Sequence, residues 1–276
     1  MTIQAMSFDD LKIVLGWAAD EGWNPGLDDA PAFLAADPAG FLIKKVDGEP
    51  VAAISVVNHS PNFAFLGLYI CKPDHRGHGH GLDVWQAGIA HAGARTIGLD
   101  GVHAQQDNYA RSGFVKAGST VRYAGVFKAV SDPRIRPATP AELRGLVIRD
   151  AKTTGINRSA FSKAWLSQTQ NRKTLVLTNG AKVNGFATFR RCGTGAKIGP
   201  LQATNEADTL SLIASNPFVG PNEPVFVDVQ DARSPLCQLL EEQHFAPTFK
   251  TARMYKGSRP EADPTRYQAV ATMELG

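Results

Sequence analysis

The sequence has few cysteines and no long apolar run. Its 3 cysteines, Cys71, Cys192 and Cys237, lie far apart and form no Cys-x-x-Cys pair, which argues against a disulfide framework and a zinc ribbon. The longest apolar region is broken at residues 58–62, and residues 1–10 lack the pattern of a signal peptide. We therefore predict a cytoplasmic protein, in a reducing compartment, with no membrane partner.

The chain also lacks a dense block of one charge. Its 29 Lys and Arg against 26 Asp and Glu give a formal net charge of +3, and the densest basic pair is Arg190-Arg191. Since no basic stripe stands out, we predict no nucleic-acid partner. The 276 residues, 43% of them hydrophobic, are enough for two globular domains.

A glycine-alternating loop is the most informative feature that is present. Residues 76–81 read Arg-Gly-His-Gly-His-Gly, between a strand-length apolar run at 63–71 and apolar residues at helical spacing up to Gly93. Glycines at a strand-to-helix junction let backbone amides approach an anion, and the positive end of the helix dipole favours it there. The loop therefore predicts a phosphate-bearing cofactor.

Two common phosphate-binding motifs fit this loop poorly. An NTPase loop needs Gly-Lys-Ser/Thr, whereas Gly81 is followed by Leu82-Asp83. A dinucleotide-binding fingerprint has Gly-x-Gly-x-x-Gly after the first strand, but here the spacing is Gly-x-Gly-x-Gly after several predicted strands. Asp100 lies near the distance that such a fingerprint requires, so a dinucleotide stays a remote alternative.

The loop resembles the coenzyme A signature Gln/Arg-x-x-Gly-x-Gly/Ala of the GNAT superfamily of N-acetyltransferases. A second segment, Tyr-Ala-Arg-Ser-Gly-Phe at 109–114, resembles the Tyr-x-x-x-Gly-Phe segment of that family. Strand 68–71 and the Lys-Pro-Asp after it resemble the strand that pairs with the pantetheine arm. The resemblance implies acetyl-CoA as the acyl donor, bound by Ile70, Cys71, Arg76, Gly77, His78, Gly79, His80 and Gly81.

The two halves of the chain share landmarks at an almost constant offset. Asp47-Gly48 recurs as Asn179-Gly180, and Phe114 recurs as Phe245, with a proline-rich segment at 131–140 between the halves. The alternative is that these residues match by chance and that the chain contains no repeat. Segments 22–26, 98–102 and 252–257 also resemble tandem members of the GNAT family whose C-terminal lobe is degenerate.

We therefore predict an α/β (α+β) fold of two tandem GNAT-like lobes, each a mixed, mostly antiparallel twisted sheet flanked by helices. Residues 1–130 are expected to bind acetyl-CoA and to be catalytic. Residues 131–257 are expected to form a degenerate lobe that builds the substrate-cleft wall, because ligand sites favour domain interfaces. Residues 258–276 are expected to be a loosely held tail.

The second lobe lacks the glycine loop. The positions that match 76–81 read Asp-Thr-Leu-Ser-Leu-Ile at 208–213, where a carboxylate would repel a phosphate. Leu240 stands where the first lobe has Tyr109. We therefore predict a single coenzyme site, in the first lobe.

Acetyl transfer to an amine needs a proton donor for the departing thiolate and an acceptor for the amine proton. The resemblance assigns the donor to Tyr109, which could instead be only a packed aromatic. Strand 63–71 contains no carboxylate, so the general base stays open among His59, Asp150, Asp228 and water.

His75, His78 and His80 invite a metal hypothesis, but no cysteine or cluster of carboxylates completes a ligand set beyond Asp74. We predict no metal site, and a structural role for Cys71.

Trp23, Asn24 and His59 are candidates for contacting the acceptor. The predicted function is acetyl-CoA-dependent N-acetylation of a primary amine on a small molecule, such as an amino acid, a polyamine or an antibiotic. A non-catalytic acyl-CoA sensor and a protein lysine acetyltransferase are the alternatives, and the sequence leaves the oligomeric state open.

Overall fold

The structure, a computed structural model, describes residues 2–220, 222–231 and 233–276. Within these ranges, one mixed, mostly antiparallel sheet of 13 strands is flanked by helices, which confirms the predicted fold class. No helix in these ranges combines the length and the apolar composition that a membrane span requires.

Among the described residues, the first half contains six strands and four α-helices. Its strands are β1 Thr2–Ala5, β2 Phe41–Val46, β3 Glu49–Asn58, β4 Phe63–Cys71, β5 Thr96–Gly101 and β6 Val115–Gly125. Its helices are α1 Phe8–Asp20, α2 Asp29–Ala36, α3 His80–Ala92 and α4 Gln106–Arg111.

The second half contains the remaining elements. Its strands are β7 Ile135–Pro137, β8 Arg172–Asn179, β9 Lys182–Arg191, β10 Ala196–Ala203, β11 Val225–Gln230, β12 Ala246–Lys256 and β13 Tyr267–Ala269. Its helices are α5 Pro140–Thr154, α6 Ser159–Leu166, α7 Glu206–Ala214 and α8 Pro235–Glu242.

Local sequence explains the ends of the main elements. Helix α1 begins at a capping box in which Ser7 and Asp10 bond each other's backbone amides. The β2–β3 hairpin turns at Asp47-Gly48, where both residues have positive φ (51° and 87°), as the predicted Asp-Gly turn requires. The turn sets the register of β2 against β3.

The two halves exchange their last long strands. Strand β12 of the second half pairs with β5 of the first, β6 of the first half pairs with β11 of the second, and β6 and β12 pair with each other at the centre of the sheet. Neither half therefore completes its sheet from its own residues. The predicted domain boundary between residues 130 and 131 stays a prediction, because strands of both halves belong to one sheet.

The prediction of a loosely held tail was wrong. Strand β13 pairs antiparallel with β10, and the last residues pack into the molecule, with Leu275 fully buried and Met273 8% exposed. The sequence signal was misleading because residues 258–266 are polar and proline-rich, whereas the apolar residues beyond them are the ones that pack.

Three buried ion pairs join the halves: Arg122 with Asp228, Asp100 with Arg253, and Asp29 with Arg190. In the first pair the guanidinium donates from Nε to Oδ1 at 2.7 Å and from Nη2 to Oδ2 at 2.8 Å. Burial alone would raise the pKa of Asp228, but Arg122 beside it holds that pKa below its usual range.

We expect Arg122→Met and Asp228→Leu each to lower the free energy of unfolding by roughly 3–5 kcal/mol, because each leaves a buried charge without its partner. The double variant Arg122→Met/Asp228→Leu should lose less than the sum of the two, since no unpaired charge remains. Urea denaturation at neutral pH measures the free energy of unfolding of all three variants. A loss in the double variant equal to the sum of the two single losses would contradict an interaction between Arg122 and Asp228.

The same pair sets a direction for acid sensitivity. The pKa of Asp228 is lower in the folded protein than in the unfolded chain, where it is about 3.9. The stability that Asp228 contributes is therefore fully present above that unfolded pKa, and it is lost as pH falls through the folded pKa.

Candidate active site

Strands β4 and β5 separate part of the way along their length. They pair in parallel from Phe63–Thr96 to Leu66–Leu99, and no further. At the point of separation Leu68 has φ of 44°, an unusual conformation for a branched side chain, and the register with β3 shifts. Ile70 and Cys71 therefore keep their partners on the β3 side, while residues 69–71 line an open cleft on the side toward β5.

The predicted phosphate loop lies at one end of this cleft. Gly77 and Gly79 have φ of 82° and 81°, in the left-handed region that favours glycine, and Gly79 caps helix α3. The first helical bond runs from Asp83 N to Gly79 O at 3.1 Å. The amides of residues 80–82 thus have no partner inside the helix and are available to an anion.

The charges around the loop are arranged to tolerate an anion. Arg76 donates to the Cys71 carbonyl at 3.0 Å and to Glu21 at 2.8 Å, and its side chain is 55% exposed. The one carboxylate in the first turn of α3, Asp83, is bound by Lys44. Its negative charge is therefore neutralised beside the loop amides.

The remaining loop side chains support its shape. His78 Nδ1 lies 3.0 Å from the Arg76 carbonyl oxygen. His80 is buried, and burial and nearby Lys44 lower its pKa, which favours the neutral ring. Gly81 is needed for space, since a Cβ there would lie 2.9 Å from the Tyr69 hydroxyl.

Cys71 does not have the surroundings of a reactive thiol. Its Sγ contacts the His75 carbonyl oxygen at 3.5 Å, and burial raises its pKa. Within the described ranges, no group of three or more His, Cys, Asp and Glu is arranged to hold a metal ion, and the expectation of a metal-free site stays a prediction.

Tyr109 lies on α4, and its side chain is buried. Its ring stacks on Trp85 at 5.6 Å between centroids and meets Phe114 edge-on at 6.4 Å. Gly101 makes room for it, because a Cβ there would lie 2.8 Å from the ring. Burial, with a smaller effect of Tyr69, raises the pKa of Tyr109, so the phenol keeps its proton at neutral pH.

A smaller chamber between the halves adjoins the cleft and is lined by Tyr109. Its walls come from β4, β5, α4 and β6, together with β12 and the tail of the second half. The chamber is lined by Trp23, Leu66, Gly67, Leu68, Tyr69, Leu99, Asp100, Val102, Tyr109, Arg122, Phe249, Thr251, Met273 and Glu274. Trp23, Tyr69 and Val102 also line the cleft, so the two spaces adjoin.

The structure separates the three predicted acceptor residues. Trp23 lines the chamber, and its carbonyl accepts from Arg122 at 2.9 Å and from Lys197 at 2.7 Å. Asn24 instead exchanges two hydrogen bonds with the backbone of Thr194 in the second half.

His59 does not line the chamber. Its Nε2 lies 2.9 Å from the Leu275 carbonyl oxygen, and its ring stacks on Phe63. Burial, together with the positive charge of Arg158, lowers its pKa to about 4. It therefore stabilises the tail as a neutral ring and is not retained as a site residue.

The equivalent opening in the second half is filled by the chain itself. Gly199 and Leu201 lie 132 positions after Gly67 and Tyr69 (199 − 67 and 201 − 69), and β10 separates from β11 beyond Ile198. There β13 pairs with residues 201–203 of β10. The edge that faces the open cleft in the first half is thus covered by the tail in the second.

The second half also lacks a free helix N-terminus at the matching place. Asn205 caps α7 by accepting from the Asp208 amide at 2.8 Å. Asp208 itself is bound by Arg134 at 2.9 Å. The predicted absence of a glycine loop therefore corresponds to an N-terminus that is already capped and carries a carboxylate.

Sequence reasoning missed several chamber residues. Phe249, Thr251, Met273 and Glu274 come from the second half, and no local pattern marks them. Arg122 had one usable signal, since it opens the Arg-Tyr-Ala-Gly segment at 122–125 that recurs near 253.

Comparison with known proteins agrees with this geometry. Residues 9–118 match the model of the acetyltransferase (GNAT) family, and residues 147–268 match that of an acetyltransferase (GNAT) domain. The holothin acyltransferase of a Pseudoalteromonas species is 33% identical over 278 aligned positions, which cover 100% of this chain and 94% of that protein.

Two solved structures share the fold. A Pyrococcus horikoshii protein provisionally named an acetyltransferase superposes with a TM-score of 0.80 at 20% identity, covering 100% of this chain and 95% of the other. A tandem GNAT protein from the clavulanic acid biosynthesis pathway superposes with a TM-score of 0.62 at 12% identity. The superposition covers 95% of this chain and 99% of the other. The predicted tandem architecture is confirmed.

We expect Gly79→Asp to weaken binding of acetyl-CoA at least tenfold more than Gly79→Asn does. The two side chains have nearly the same shape and both tolerate positive φ, so the difference isolates the negative charge beside the loop amides. Isothermal titration calorimetry of each variant measures it. Equal affinities for the two variants would place the phosphates elsewhere.

Proposed function

This chain belongs to the GNAT acetyltransferase family, and we propose that it transfers the acetyl group of acetyl-CoA to a primary amine of a small molecule. Members of this family are acyltransferases that take the acyl group from acyl-CoA. The observation that carries the proposal is the opening between β4 and β5, which runs from the glycine loop to the chamber that contains Tyr109.

The coenzyme lies along this opening in the proposal. The diphosphate meets the amides of residues 77–81, with Arg76 at the rim of the cleft. The pantetheine arm pairs with the free edge of Ile70 and Cys71, because an unpaired strand edge offers a row of backbone donors and acceptors. The thioester then reaches the point where β4 separates from β5, next to Tyr109.

Transfer proceeds by attack of the neutral amine on the thioester carbonyl. A new N–C bond forms, the C–S bond breaks, and the coenzyme leaves as a thiolate that takes the Tyr109 hydroxyl proton. Among the described residues the Tyr109 hydroxyl has no hydrogen-bond partner, so it is free to meet the sulfur. Its raised pKa keeps the proton available.

The acceptor lies, in the proposal, against the side of the chamber that the second half forms. Phe249, Thr251 and Met273 close the chamber there, so the proposal assigns the second half the role of the acceptor-site wall. Enclosure on that side favours a compact amine over a protein side chain carried on a long segment. The Pseudoalteromonas relative is named for acylating holothin, which belongs among the acceptors to be tested.

We expect purified protein to release free thiol from acetyl-CoA with at least one member of a panel of small amines that includes holothin, amino acids, polyamines and aminoglycosides. Product mass should increase by one acetyl group. No thiol release with any amine would indicate a sensor, and transfer of label only to protein lysines would indicate a protein acetyltransferase.

Once an amine that the protein acetylates has been identified, we expect Tyr109→Phe to lower kcat for that amine by about 10²-fold or more. The reason is that the leaving thiolate loses its proton donor. The Kd of acetyl-CoA should stay unchanged. Tyr123→Phe is a matched control, since that phenol bonds Glu241 at 2.8 Å outside the chamber. Wild-type turnover by Tyr109→Phe would contradict the assigned role.

A further inference from the structure

The sequence leaves open which group accepts the amine proton, and the structure excludes its three side-chain candidates. Asp150 is bound by both ends of the Arg158 guanidinium, at 2.8 and 2.9 Å. Asp228 is bound in the same way by Arg122. His59 lies outside the chamber and packs under the tail. None of the three is free to meet an amine there.

Two carboxylates line the chamber, and only one of them is neutralised by a cation. Asp100 has a fully buried side chain and accepts from Arg253 at 3.0 and 2.6 Å, and from Thr120 at 2.7 Å. Glu274 accepts one hydrogen bond, from Thr272 to Oε2. Among the described residues it has no salt bridge, so its other oxygen remains for a ligand.

The tail holds Glu274 in place from both halves. The Val270 amide donates to the Asp228 carbonyl at 2.9 Å, and Arg190 donates to the Ala271 carbonyl at 3.2 Å. On the far side of Glu274, the Leu275 carbonyl contacts His59. The carboxylate is therefore carried on a fixed segment and not on a free end.

The backbone of Glu274 also touches the strand where the thioester is proposed to lie. A Cβ on Gly67 would come within 2.1 Å of the Glu274 carbonyl oxygen, so this position admits only glycine with the tail in place. Gly67 immediately precedes Leu68, where β4 turns away from β5. Glu274 thus meets the reaction chamber at the bend of β4, with Tyr109 also in its wall.

We propose that Glu274 is the general base of the acetyl transfer, which rests on the function proposed above. As the N–C bond forms and the C–S bond breaks, the amine N–H proton passes to the Glu274 carboxylate and the Tyr109 proton passes to sulfur. Glu274 then loses its proton to solvent and the Tyr109 phenolate regains one, so the enzyme returns to its starting state.

The charged groups near Glu274 do not bind its carboxylate. Three charged groups from three elements interact electrostatically with it: Asp29 from α2, Arg122 from β6 and Lys197 from β10. Asp29 and Arg122 are each bound in an ion pair, with Arg190 and with Asp228. Lys197 is buried, and burial together with Arg122 lowers its pKa. Its ammonium donates to the Trp23 carbonyl, not to Glu274.

The test is Glu274→Gln, which keeps the size of the side chain and its ability to accept from Thr272. We expect kcat/KM for the amine at pH 7 to fall by about 10²-fold or more, while the Kd of acetyl-CoA and the melting temperature stay unchanged. The deficit should shrink as pH rises, because hydroxide can then take the amine proton in place of the missing carboxylate. A deficit that is the same at every pH, or none, would overturn the proposal.

Two further variants complete the experiment. Glu274→Asp keeps the carboxylate and should retain partial activity with the wild-type shape of the pH profile. Glu261→Gln removes an exposed carboxylate from the same tail, outside the chamber, and should behave as wild type. If the wild-type protein acetylates no amine at all, the proposed function fails and this inference fails with it. If the wild-type protein acetylates an amine and Glu274→Gln is as active as the wild type, only the inference about Glu274 fails.

Discussion

The exchange of the last long strands between the two halves is the constraint on which the rest of the structure depends. Because β12 pairs with β5, side chains of the second half such as Phe249 and Thr251 lie behind the opening between β4 and β5. Because β6 pairs with β11, Arg122 comes opposite Asp228 and their charges pair in the interior. The chamber is therefore built from both halves and does not exist in either alone.

A second constraint is that exposed strand edges need partners. Where β4 and β10 separate from their neighbours, each leaves backbone groups without a partner in the main path of the sheet. In the second half β13 supplies that partner. In the first half the edge stays open, and the proposed partner is the coenzyme. One tail segment thus covers the strand edge in the second half and then continues into the chamber.

The charges of the chamber follow from the same arrangement. Asp100 and Arg122 are buried where a lone charge would be strongly destabilising, and each is matched by an opposite charge from the second half. These pairs neutralise the chamber wall without using Glu274. Among the described residues, the chamber carboxylate on the tail is the one that no cation binds.

Much of the first half follows from its sequence alone. Strand 63–71, the glycine loop at the start of α3 and the short helix that carries Tyr109 are each encoded by apolar spacing and turn residues within about ten positions, so local physics sets them. The tandem fold was likewise readable from the repeat.

Tertiary structure alone decided which strands pair across the halves, that the polar tail ends in a buried segment, and that Glu274 rather than His59, Asp150 or Asp228 meets the chamber. Those contacts join residues at least 100 positions apart, and their free energy comes from burial and charge pairing that no short stretch of sequence contains.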